Sequence, residues 1–427
     1  MNITEFVEKM KNNVEALQVT EFKSEAVELK VVNEKLKKSI FSDDVSYEVK
    51  AKINGKYVKL NTNYLSNELL DILRMKSVEI ESNYEDEYIK DNKKLQFKDA
   101  KNKNIKISDK IKKMLGFDNL RKTHSSIEAI ESNYEYYHSE KRIVNTNGVD
   151  LLSTKNGYTF YIEASAKDNT KTITYDDVIY TAKEEEIDME AICLKVVETA
   201  EKSLQKEKIT SGLYNVVFSS YFTSRMVNNL ITLLSKEQVR KKLSCFDNKL
   251  NEMVANDKVT IIEAADNKEL PSYTPFDNEG TLTKEKVIIE AGVLKTYLYN
   301  NQEAILANTK STGNGYGQIS ARNLYLKAGQ KSEKDLIKEL KNGLYITKYQ
   351  ETGGTVLNST NGQVSAQIFG FIVKDGKITD SFETCIMSTT IFELLQNIKE
   401  VGNKIEFKTE IAGAPAILVE NMSIASN

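Results

Sequence analysis

Two histidines, His124 and His138, limit the chemistry open to this chain of 427 residues. Both lie in its first half beside a predicted helix, with no motif around them, and read as surface or helix-end residues. A hydrolytic zinc site of the His-Glu-x-x-His kind sets two histidines on one helix face with a carboxylate nearby. No such pair can form, and beyond Lys208 there is no histidine. A serine or cysteine nucleophile needs an adjacent base. Ser365 stands between Gly362 and Gly370 but lacks the Gly-x-Ser-x-Gly elbow, and Cys385 falls in a predicted strand as a core residue. The run Gly313-Asn314-Gly315-Tyr316-Gly317-Gln318 lacks the last glycine of the dinucleotide fingerprint and leads into a strand. Its glycines read as turn positions that allow positive φ or close backbone approach. The sequence therefore assigns no catalytic residue and no metal ligand.

Composition narrows the class further. With 59 basic and 62 acidic residues well mixed, the net charge of −3 leaves no electrostatic footprint for nucleic acid. Cys193, Cys245 and Cys385 are odd in number and widely spaced, which suits free thiols in a reduced cytoplasm. No apolar run approaches the ~20 residues that span a bilayer, and the opening Met1-Asn2-Ile3-Thr4-Glu5 carries no signal-peptide core. The expectation is a soluble cytoplasmic protein without nucleic-acid or membrane partners. Its length favours two domains.

The elements that would position these residues mix helices with hairpins. Phe6, Val7, Met10, Val14 and Leu17 recur at helical spacing. Alternation over 26–32 predicts a strand, and Asn54-Gly55 marks a hairpin. The polar stretch from Glu79 to Lys113 reads as a solvated connection. Ser125-Ser126-Ile127-Glu128 fits a capping box opening a helix through about Tyr137. Strands follow from Arg142 to Tyr175, turning at Asn147-Gly148 and Asn156-Gly157, and then a long helix from Ile187. The boundary is placed after that helix, giving an N-terminal α+β domain (residues 1–208) and a C-terminal domain (residues 209–427). The second half predicts a helix through Met226, Val227, Leu230 and Leu234, and hairpins at Ala291-Gly292 and Asp375-Gly376. A helix from Thr390 to Val401 precedes a last strand. The predicted class is α+β, the C-terminal domain being built on a large, mainly antiparallel sheet with hairpins and flanking helices.

An ordered series in the second half carries a family resemblance. It runs through Thr274-Pro275-Phe276-Asp277-Asn278-Glu279-Gly280, Ile289-Glu290-Ala291-Gly292-Val293-Leu294 and Ser311-Thr312-Gly313-Asn314 with Asn323. Gly343-Leu344-Tyr345-Ile346-Thr347, Asn361-Gly362-Gln363-Val364-Ser365, Asp375-Gly376-Lys377-Ile378 and Val401-Gly402-Asn403 continue it. In this the chain resembles the TldD/PmbA family, on its TldE/PmbA side. The glycine loops depart from the usual pattern at Gln350-Glu351-Thr352-Gly353-Gly354 and at Ser365-Ala366-Gln367-Ile368-Phe369.

The resemblance implies a subunit of a cytoplasmic metallopeptidase acting on unfolded or small peptides. In that family the TldD side carries zinc on a His-Glu-x-x-x-His helix with a late cysteine. Here the matching helix reads Phe222-Thr223-Ser224-Arg225-Met226-Val227-Asn228-Asn229-Leu230, and no cysteine follows Gly402. No cofactor is expected in this chain, with zinc confined to a TldD-like partner; the alternative partner is a second copy of itself, as a dimer. Peptide is expected at sheet edges beside glycine loops, at Gly313, Asn314, Gly315, Arg322, Asn323, Gly353, Gly354 and Ser365. The alternatives are a stand-alone peptide-binding or assembly protein and, behind it, a metal-independent hydrolase.

Overall fold

In a computed structural model the chain is described over residues 1–79, 93–99, 105–169, 171–350 and 356–426. Much of the polar 79–113 stretch, and Gly353 and Gly354, therefore lie outside the described residues.

The first half is organised by very long antiparallel strands. Ala16–Val32 pairs with Lys35–Ile53 on one side and Ile127–Asn145 on the other, and Ile127–Asn145 pairs in turn with Asp150–Lys167. Lys56–Thr62 and Thr172–Thr181 flank them, and Lys94–Phe97 adds in parallel. The hairpin at Asn54-Gly55 forms with both residues at positive φ. Helix Met189–Lys202 covers one face, burying Met189, Cys193, Val196 and Val197 against Tyr134, Phe160 and Ile162. Helices Ile3–Met10 and Leu69–Glu79 cover a second apolar cluster around Val19, Val49 and Val58.

The predicted helix from Ser125 is not formed; strand Ile127–Asn145 stands there. Ile130, Ser132, Tyr134 and Tyr136 are buried at alternate positions, a period of two that the capping-box match overrode. His138 accordingly sits on a strand, bonded to Asn156 at 3.0 Å. The first helix stops at Met10, and Leu17 is already in a strand. Asn156-Gly157 is not a turn but mid-strand. Gly157 faces Tyr137 across the pair, and a Cβ there would meet the Tyr137 ring at 2.2 Å. The predicted 390–401 helix ends early, at Gln396, and Ile398–Val401 pairs with the last strand, Ile417–Ser426.

Two sheets build the second half. One runs through Lys286–Glu290, Ile261–Glu263, Leu324–Leu326 and Ala412–Ala414. In the other, Gly343–Gln350 pairs with both Gly212–Phe218 and Gln363–Lys374. With Ile417–Ser426 and Cys385–Thr390 this closes a ring of five strands. Helix Ser220–Leu234 is capped by Ser219, whose side chain accepts from the Phe222 N–H, and is buried against both sheets through Phe222, Met226, Leu230 and Leu233. The class is α+β, and Lys206–Glu207 already belongs to the C-terminal sheet.

Polar contacts tie the halves together. Lys408 Nζ lies 2.8 Å from Asp177 and 3.4 Å from Glu406. Burial pushes both carboxyls up, but Lys408, with Lys195 for Asp177 and Lys404 for Glu406, holds each below its ordinary value. Such groups contribute stability above the unfolded carboxylate range of ~4 and lose it as pH falls through the folded value. Lys408→Met should therefore cost ~3–5 kcal/mol at neutral pH, because it leaves buried charge uncompensated. The deficit should shrink on acidification as both carboxyls protonate. Denaturant unfolding across pH checks this; a deficit unchanged with pH would contradict it.

Candidate functional site

The glycine loop is fixed by two buried carboxylates. Glu263 is fully buried at the end of strand Ile261–Glu263. It accepts from Asn314 Nδ2 at 2.8 and 3.0 Å, from Lys286 Nζ at 2.5 Å and from the Arg322 backbone N–H at 2.9 Å. Asp277, also fully buried, takes the N–H groups of Glu279 and Thr281 on one oxygen and that of Gly315 on the other. The Asn278 N–H donates back to the Gly315 carbonyl at 2.9 Å. Loops 277–281 and 313–317 are thus laced together before any ligand is considered.

The structure brings Gly313, Asn314, Gly315, Arg322 and Asn323 into one neighbourhood but gives them different work. Asn314 also donates to the Ser320 carbonyl and accepts from Thr312 Oγ1. Asn323, at φ 51°, accepts from the Ser272 N–H and donates to the Ala264 carbonyl. Both side chains are fully buried and engaged inside the fold, so neither offers the peptide hydrogen bonds expected of it. Gly315 is buried as well; a Cβ would meet the Glu279 carboxyl at 2.3 Å, and Glu279 is held by the Asn301 N–H. Ser365 lies apart, exposed on strand Gln363–Lys374 opposite Ser388.

Arg322 alone of this group faces open space. Its guanidinium stacks 4.0 Å over the Tyr316 ring, and its Nη1 donates to Ser320 Oγ and the Ala321 carbonyl. It borders a cleft of about 330 Å³ between the two halves, with Lys141, Lys155, Thr274, Asn278 and Glu410. Lys141 reaches across from strand Ile127–Asn145 to the Phe276 carbonyl at 2.5 Å and Asn278 Oδ1 at 3.4 Å. Burial pushes its ammonium down to about 7, against the attraction of Asp277; burial and Glu279 push the Asp277 carboxyl up. The Phe276 ring anchors this contact among Ile143, Val149 and Leu151. Among the described residues the buried Tyr316 hydroxyl has no partner, a state that costs ~1–3 kcal/mol. Sequence reading missed Lys141, Lys155, Glu263 and Asp277 as site residues, because each has a partner far along the chain: Asn278, Glu410, Asn314 and Gly315 respectively.

Helix Ser220–Leu234 presents a second polar surface. Tyr221, Arg225, Asn228 and Asn229 are its partly exposed residues in that stretch. Arg225 Nη2 donates to Tyr221 Oη at 2.8 Å, and its Nε is buried with no partner among the described residues. Lys348 lies 4.3 Å from the Tyr221 ring centroid and 2.5 Å from Asp176. Burial pushes its ammonium down to about 8, despite Asp176. Zinc is held by cysteine, histidine and carboxylate donors; a phenol, two carboxamides and two cations do not fit it. Among the described residues no group of three or more such donors could hold a metal.

Comparison with known proteins places this geometry. The PmbA/TldA metallopeptidase C-terminal domain matches residues 211–426, and the central domain of the same group matches 100–204. The chain belongs to the PmbA/TldD family. A Buchnera aphidicola protein named metalloprotease PmbA homolog is 26% identical over 321 residues, 70% of each chain. An Archaeoglobus fulgidus protein named metalloprotease is 28% identical over 235 residues, so that this PmbA/TldD chain aligns with about half its length (53% of each). The crystal structure of Thermotoga maritima TM0727 superposes with a TM-score of 0.89 at 27% identity, covering 99% of this chain and 100% of that one. TldE from Thermococcus kodakarensis, at 17% identity, shares the fold with a TM-score of 0.84 over 99% of each chain.

Because Asn314 carries a charged buried acceptor, Asn314→Ala should lower stability by at least ~1–3 kcal/mol. Gly315→Val should destabilise as well, by forcing Glu279 off its backbone partner. Denaturant unfolding measures both, and midpoints equal to that of the unmodified chain would show that the loops are not held as described.

Proposed function

We propose that this chain is the TldE/PmbA-like, metal-free subunit of a cytoplasmic metallopeptidase that acts on unfolded or small peptides. In this reading it pairs with a zinc-bearing TldD-like subunit and contributes peptide-holding surface rather than the catalytic ion. The observation that carries the reading is helix Ser220–Leu234. In the zinc-bearing side of the family that helix supplies the ligands, whereas here the corresponding face offers Tyr221, Arg225, Asn228 and Asn229. The Arg225 guanidinium and the Lys348 ammonium beside Tyr221 would oppose a divalent cation electrostatically. The named metalloproteases among its relatives support a peptidase role for the assembly.

Division of labour follows from these side chains. Zinc, bound in the partner, would polarise a peptide carbonyl and activate water. This chain's part is to hold an extended substrate.

Purified alone, the chain should carry no stoichiometric zinc and cleave no unstructured peptide. Mixed with a zinc-bearing family member, it should form a complex whose cleavage is abolished by chelation. Elemental analysis, co-elution and a peptide-cleavage assay check this. Chelator-insensitive cleavage by the lone chain, lost in Ser365→Ala, would favour a metal-independent hydrolase; peptide binding with no such complex would favour a stand-alone binding protein.

A further inference from the structure

Among the basic groups of the cleft between the halves, Arg322 is the one that no carboxylate meets among the described residues. Its basic lining is Lys23, Lys141, Lys155 and Arg322, beside Glu140 and Glu410, with Asp277 just outside attracting Lys141. Lys23 is matched, lying 2.9 Å from Glu21 and 3.3 Å from Glu140. Lys155 is only loosely matched, 3.9 Å from Glu410. Lys141 is directed to the Phe276 and Asn278 oxygens. Arg322 has no carboxylate within salt-bridge distance among the described residues, and its Nε and Nη2 make no hydrogen bond there. Its plane is fixed by the Tyr316 ring beneath and by the Nη1 bonds to Ser320 Oγ and the Ala321 carbonyl. A guanidinium held flat with one edge open is set for a planar, two-oxygen acceptor.

We propose that this interdomain cleft binds a peptide carboxylate, with Arg322 as the two-pronged donor and the Lys155 and Lys141 amino groups flanking it. The inference rests on the peptide-holding role argued above and names what that surface reads. A carboxylate suits the site better than a dianionic group, since Glu140 and Glu410 lie in the same lining. Two sources share this chemistry, a chain-terminal carboxylate and an acidic side chain. Arginine is the specificity element, because lysine at its position would keep the charge but lose the fork. Lys141 and Lys155 come from the first half and Arg322 from the second, so the carboxylate would also bridge the halves.

The test uses the full chain, alone and joined to a chelator-treated zinc-bearing family partner, with three fluorescein-labelled Ala/Ser peptides. One ends in a free acid, one in an amide, and one is amidated but carries an internal Glu. Fluorescence anisotropy should show one or both acidic peptides binding about tenfold or more tightly than the neutral one, and the better binder identifies the source. Arg322→Gln and Lys155→Gln should each shrink that preference. Arg322→Lys should restore it only in part, with thermal unfolding of Lys155→Gln unchanged. Equal binding of all three peptides, unaffected by Arg322→Gln, would overturn the carboxylate site while leaving peptide binding intact. No binding of any peptide in either form would overturn both.

Discussion

A single buried carboxylate governs the second half of this molecule. Glu263 has no exposed surface, and a bare carboxylate in such a place would be strongly disfavoured. It is stable because three groups from distant positions converge on it: the Asn314 amide, the Lys286 ammonium and the Arg322 N–H. Satisfying Glu263 therefore determines where loop 311–323 runs. That path fixes Arg322 over Tyr316 and brings Gly315 to Asp277. The residues that read as substrate contacts are thus divided, with Asn314 turned inward to Glu263, Asn323 inward to Ser272 and Ala264, and Arg322 turned out.

The same requirement couples the two halves. Asp277 belongs to the turn that carries Phe276 into the apolar contact with Ile143, Val149 and Leu151. Lys141 crosses at that point to the Phe276 carbonyl, and Lys408 crosses elsewhere to Asp177. A sheet of long strands and a closed ring of strands are consequently joined through charged and polar groups as well as apolar ones. In the cleft at this joint Arg322 is left without a carboxylate among the described residues.

Much of this was legible from the chain alone wherever the signal was local. The turns at Asn54-Gly55, Ala291-Gly292 and Asp375-Gly376 form because their residues take positive φ, and helix Ser220–Leu234 follows its apolar spacing. The ordered series from Thr274 to Asn403 pointed to the family. Strand Ile127–Asn145 was missed because a four-residue capping match outweighed an alternation, Ile130 to Tyr136, that was equally present. The site was only half visible for a different reason. Glycines and asparagines advertise a loop, but the carboxylates that hold it pair with groups 38 to 59 positions away. Nothing local marks Lys141, whose partners are 135 and 137 positions distant.

The central claim is that peptide is held on this chain while the partner supplies the chemistry. Photo-cross-linking reads that directly. A peptide bearing a photoreactive group is bound to the assembled complex after zinc removal, irradiated, and the adducts are mapped by mass spectrometry. The expected result is labelling of this chain within 273–278 and 316–322 and on the facing strands near Lys141 and Lys155. Adducts confined to the partner, with this chain unlabelled, would contradict the account.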